Sequence, residues 1–142
     1  MIARTAVFIG HRDYTVFKGG NLRAAIEELI LQGYTRFYCG GIGNFDRVCA
    51  RTVLTLKASY PHIRIYLVLP CARWPIRMNM PFDGIIVSDQ EKTIFKRRAV
   101  MLRNRFMIEN ASAAVCYVRR CRGGAYRSWE YALESGIKII NI

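Results

Sequence analysis

The chain has 142 residues, 52% of them apolar, and a formal net charge of +12. That length is most simply one domain, residues 1–142, with a real hydrophobic core. No apolar run reaches the roughly 18–20 residues of a membrane span, and the run at 6–9 is too short for a signal peptide, so a soluble, cytoplasmic protein with no membrane partner is expected.

In chain order, residues 5–9 are β-branched and aromatic and predict the first strand. It ends at Gly10, His11 and Arg12, beyond the strand's C-terminal edge, where ligands bind in open parallel sheets. A cationic Arg12 there suits a phosphate; a surface loop with incidental charges is the alternative. Gly19 and Gly20 precede an apolar stripe at 22, 25, 26, 29 and 30, which predicts a helix over 22–31 with Asn21 as N-cap and Gly33 just past its end. Residues 35–39 predict the second strand. The glycine turn Gly40, Gly41, Ile42, Gly43 follows and leads into a helix over about 45–59. Glycines there let a ligand approach the backbone, the helix N-terminus offers N–H groups to an anion, and Asp46 suits either a cap or a ribose hydroxyl. A plain tight turn remains the other account of these residues.

Tyr60 and Pro61 stop that helix, and the nearly continuous apolar run 63–69 predicts a third strand covered on both faces. Residues 71–81 are irregular, with Trp74 either stacking on a base or pinning the loop to the body. A fourth strand is predicted at 84–87, whereas 90–95 is ambiguous. Residues 96–110 predict a helix on which Arg98 and Arg105 share a face and Arg103 lies elsewhere. A fifth strand (113–118), a cationic glycine turn (119–124), a helix over 125–134 capped by Gly136, and a strand over 137–142 complete the chain. Strands alternating with helices predict an α/β fold. It is a single-domain, Rossmann-like three-layer sandwich with a mostly parallel sheet of five to six strands. The exits at 10–12, 40–43 and 123–124 then fall on one edge.

The five cysteines show no CxxC pair, and neither His11 nor His62 is tied to one. Reduced thiols are expected, with no disulfide framework, no metal site and no cofactor. The excess of positive charge implies anionic partners such as nucleotides or nucleic acid. Residues 96–127 hold nine Lys or Arg against Glu109 alone.

Several segments together resemble the SLOG superfamily of Rossmann-like proteins, in particular its small bacterial and phage (YpsA/YoqJ-like) branch. They are Gly10-His11-Arg12, the run from Gly40 to Asp46, Tyr60-Pro61-His62-Ile63 leading to Leu67-Val68-Leu69-Pro70-Cys71, Arg103-Asn104-Arg105-Phe106-Met107, and Gly123-Gly124. The resemblance spans nearly the whole chain. The superfamily also includes the Lonely Guy phosphoribohydrolases and the DNA-processing protein A family. In the former, an Arg-Lys pair on a helix and a Pro-Gly-Gly-x-Gly-Thr-x-x-Glu turn serve N-glycosidic cleavage. By motif position the resemblance implies catalytic roles for Arg103 and Glu130. Here Arg122 stands at the proline, Tyr126 at a glycine and Arg127 at the threonine, which would reshape the phosphate cradle.

Three functions compete. The first is binding of a nucleotide or nucleotide-derived signalling ligand at the C-terminal edge of the sheet, by Gly10, His11, Arg12, Gly40, Gly41, Gly43, Asp46, Arg103, Gly123 and Gly124. The second is a phosphoribohydrolase acting on a nucleoside monophosphate through Glu130 and Arg103. The third is single-stranded nucleic-acid binding, with Trp74, Tyr117 and Tyr126 available for stacking. Pairing of copies through helices, as in related proteins, is left open.

Overall fold

The computed structural model describes residues 3–15, 21–88 and 95–142. Gly19, Gly20 and most of the ambiguous stretch, residues 90–94, lie outside the described residues. The elements are β1 (Arg4–Gly10), α1 (Leu22–Leu31), β2 (Tyr34–Cys39), α2 (Asn44–Leu56), β3 (Arg64–Leu69), β4 (Gly84–Val87), α3 (Lys96–Glu109), β5 (Ala113–Tyr117), α4 (Gly124–Glu134) and β6 (Lys138–Asn141). The six strands form one sheet in the order β4-β3-β2-β1-β5-β6, and every adjacent pair is parallel. The fold is thus the expected α/β, Rossmann-like sandwich. No helix among the described residues is long and apolar enough to cross a membrane.

Successive strand residues point to opposite faces, and both faces are covered. Ala6, Phe8, Phe37, Cys39 and Ile65 pack with Leu22, Ile26, Leu29, Phe45, Cys49 and Val53 of α1 and α2. Val7, Ile9, Tyr38, Val68, Ala114 and Cys116 pack with Met107, Ile108 and Ala132 of α3 and α4. Burial on both sides explains why β1 and β5 are apolar without alternation. Gly33 and Gly136 follow the last residues of α1 and α4 at φ +97° and +75°, conformations in which a Cβ is strained. Gly136 stands one place beyond the cap, which is Ser135. Asn21 occupies the α1 N-cap position, but its side chain makes no capping bond. The second helix ends three residues earlier than its apolar pattern predicts. After Leu56 the chain tightens, with Ala58 and Ser59 donating to Thr55 and Leu56 three residues back.

The chain moves outward from β1 through β2 and β3 to β4, then returns to lay β5 and β6 on the other side of β1. The connections after β1 and β5 therefore leave toward opposite faces, α1 to one and α4 to the other. A crevice must open between them at the C-terminal edge.

The exit from β1 is closely packed. A Cβ on Gly10 would stand 2.3 Å from two ring atoms of Phe45. That ring is 1% exposed and is held against Tyr14 and Tyr117 at centroid distances of 5.1 and 6.2 Å, so it has nowhere to move. Gly124 faces open space, with nothing within 4 Å of a Cβ. Gly10→Ala is expected to cost about 1–3 kcal/mol through overpacking, and Gly124→Ala to stay within about 0.5 kcal/mol of the parent. The urea midpoints of the two variants check this.

Candidate functional site

At the crevice between the ends of β1 and β5 lies a cavity of about 490 Å³, within the range of about 300–1,000 Å³ usual for small-molecule sites. Its polar lining comes from Gly10, His11 and Arg12 after β1, from Asp46 in the first turn of α2, from Arg103 and Asn104 on α3, and from Arg120, Arg122, Gly123, Gly124 and Ser128 around the start of α4. Val7, Ile9, Val100, Met107, Ile108 and Ala125 give it apolar walls. Gly40, Gly41 and Gly43 are absent from the lining, and so is Glu130; from the 40–43 turn only Ile42 reaches it.

The glycine turn after β2 is filled by the protein itself. A Cβ on Gly40 would lie 2.9 Å from the guanidinium carbon of Arg103, one on Gly41 2.5 Å from Leu67, and one on Gly43 2.8 Å from the Arg12 backbone. The N-terminus of α2 is also engaged, because Asn44 N donates to Arg12 O at 3.0 Å and the Asn44 side-chain amide donates to Tyr14 O.

Arg103 is 2% exposed. Its Nη1 donates to Gly40 O at 2.7 Å and Val68 O at 2.9 Å, and its Nε to Asn104 Oδ1 at 2.9 Å. The guanidinium thus ties α3 to the ends of β2 and β3. The two arginines that share a different face, Arg98 and Arg105, are exposed. Asp46 accepts from Ile42 N at 3.2 Å, one residue before its helix's cap, and so closes the turn locally. Burial raises its carboxyl from 3.8 to about 6, against the lowering effects of Arg103, the Ile42 and Gly41 N–H groups, and Arg12.

His11 holds the β1 and β5 exits together. Its Nε2 accepts from Arg119 N at 2.8 Å and Arg120 N at 3.2 Å, which requires a neutral ring with the proton on Nδ1. Burial, then the Arg120 charge, lowers its pKa. The arginines of the 119–122 turn differ in what they hold. Arg119 lies 4.3 Å over the Tyr117 ring and donates to Ile142 O. Arg120 pairs with Asp13 through both Nη atoms, at 2.8 and 3.2 Å. Arg122 and Arg12 make no side-chain hydrogen bond or ion pair among the described residues, and both line the cavity.

The start of α4 is equally open. Gly123 is its cap at φ 90°, with no side-chain bond, and the first N–H to find a partner is that of Arg127, on Gly123 O. The N–H groups of Gly124, Ala125 and Tyr126 have no hydrogen-bond partner among the described residues. Glu130 is exposed on α4 and interacts with Tyr126 one turn back. Trp74 is half-buried in the 71–82 loop and does not line the cavity. Cys39, Cys49 and Cys116 are buried, and burial raises each thiol, Cys116 to about 12, so none is a ready nucleophile. Arg122, Asn104 and Ser128 were not singled out as site residues from the sequence. Ser128 follows Gly124 by four positions, the spacing that puts two helix residues on one face.

No family model matches the chain, and no curated protein sequence matches it. Its fold is shared with solved structures. DNA processing protein A from Helicobacter pylori, described for its single-stranded DNA binding mode, superposes with a TM-score of 0.70 at 16% identity, over 97% of this chain and 64% of that one. The Streptococcus pneumoniae DNA processing protein A gives 0.72 at 12%, over 98% and 50%. The protein TM1055 gives 0.63 at 15%, over 96% and 72%. The likeness is one of fold, and the chain spans about half to two thirds of the DNA processing proteins.

The buried carboxyl has a measurable consequence. A folded-state pKa raised above the unfolded value stabilises the fold below pH 3.8, and that contribution is lost as the pH rises through 6. The displacement corresponds to about 3 kcal/mol. Asp46→Asn should remove this falling component from stability measured by denaturant titration between pH 4 and 7. His11, lowered from 6.5, acts in the opposite sense and loses its contribution as the pH falls; that component should persist in the variant.

Proposed function

We propose that the chain is a binding module for a nucleotide or nucleotide-derived ligand at the C-terminal edge of the sheet. One observation carries this most. A cavity of ligand size is lined by two arginines, Arg12 and Arg122, that make no ion pair among the described residues, and it lies beside the start of α4, where three N–H groups have no partner among the described residues. A helix N-terminus with no Cβ in the way suits a phosphate monoester, and two cations match its charge. Gly123 and Gly124 give the phosphate its seat, while Gly10 and His11 shape the wall behind it. Arg103, Asp46 and the 40–43 glycines act as the frame. The apolar walls from Val100, Met107 and Ala125 suit the flat face of a base.

The phosphoribohydrolase alternative has less support, because Glu130 is exposed and outside the cavity lining. The nucleic-acid alternative is favoured by the net charge of +12 and by the fold shared with a protein described as binding single-stranded DNA. The five free thiols accord with the cytoplasm, and the small bacterial and phage branch is the affiliation proposed for the chain.

Calorimetric titration with ribose 5-phosphate and nucleoside 5′-monophosphates tests the proposal. Saturable binding is expected, weakened about tenfold or more by Arg122→Ala and by Arg12→Ala and unchanged by Glu130→Gln. Binding only to oligonucleotides, with a steep salt dependence, would favour the nucleic-acid alternative. Release of free base on incubation, abolished in Glu130→Gln, would favour the hydrolase.

A further inference from the structure

Asn104 stands in the cavity wall with Arg103 on its own helix and Ser128 on the facing helix. Its orientation is set by chemistry. Arg103 Nε can only donate, so the atom facing it at 2.9 Å is the amide oxygen. A flipped amide would set donor against donor. The same guanidinium is fixed by two carbonyls, Gly40 O and Val68 O, so it cannot turn away to accommodate a flip. Asn104 is therefore held level with the ends of β2 and β3, with its NH₂ group turned from Arg103. That Nδ2 has no hydrogen-bond partner among the described residues, and it is not among the buried unpaired atoms, which are Arg36 Nε and Trp129 Nε1. It is an oriented donor on a residue that lines the cavity. Ser128, about 6 Å along α4 from Gly124, also lines the cavity.

From this we infer that Asn104 selects the ligand's base: it favours a ring carrying a carbonyl oxygen at its edge and disfavours one carrying an amino group there. The inference rests on the function proposed above. A carbonyl accepts from Nδ2, whereas an exocyclic amine opposes it donor to donor.

Inosine and adenosine 5′-monophosphates form a matched pair, because they differ at position 6 by a carbonyl against an amino group. The wild-type chain should bind the inosine nucleotide about tenfold or more tightly, with a shift of the Asn104 side-chain ¹⁵N resonance on that ligand alone. Asn104→Asp keeps an oxygen for Arg103 and turns the second position into an acceptor, so the preference should reverse. Asn104→Leu should erase the preference between the two nucleotides. Equal affinity of the wild-type chain for the two nucleotides, with ribose 5-phosphate bound, would overturn this inference and leave the phosphate site standing. Failure of ribose 5-phosphate and both nucleotides to bind would overturn both.

Discussion

A buried guanidinium organises the C-terminal edge of this sheet. Arg103 has no ion-pair contact with a carboxylate among the described residues, so its charge is accommodated by carbonyl dipoles and by the nearby Asp46. Burying a cation is costly unless its donors are met. Meeting them dictates much of the surrounding geometry. Gly40 must lack a Cβ so that the guanidinium can reach the backbone, and the last turns of β2 and β3 are held at a fixed distance from α3. The amide of Asn104 is turned one way. Arg103 thus acts chiefly through what it positions.

The order of elements was legible because hydrophobic periodicity and glycine punctuation agree along the chain. Runs without alternation, such as residues 63–69, marked strands covered on both faces, and Gly33 and Gly136 marked helix ends. Element limits were less legible. The end of α2 moved because a tightened turn can carry helical-looking residues without an α-helical ladder. The site was legible as an edge rather than as a set of contacts. Composition showed that Gly40, Gly41 and Gly43 allow close approach, but not that Arg103, Leu67 and Arg12 of the same chain would be what approaches. Gly123 and Gly124 look much the same in sequence, yet face open space.

Charge had the same ambiguity. Three arginines at 119, 120 and 122 are alike in one dimension. In three, one stacks on Tyr117, one is clamped by Asp13, and one is left facing the cavity. Which guanidinium is spare depends on partners more than a hundred residues away, such as Asp13 for Arg120. Nothing local in the run of basic residues carries that information, so net charge describes the protein's attraction to anions without saying where one would rest.

The strand order also constrains how the chain can be made. β1 is central, yet its neighbour on one side, β5, lies more than a hundred residues downstream, pairing Ala6 with Ala113. As the chain emerges from the ribosome, β1 through β4 can assemble while one flank of β1 still bears unpaired N–H and C=O groups on an apolar strand. Such an edge invites pairing with another chain, and parallel, long-range closure is intrinsically slow. His11, whose ring acceptor is met by the N–H groups of Arg119 and Arg120, cannot fasten that flank until both have been made. A strand covered on both faces in the finished molecule is thus left open along one flank for much of its synthesis.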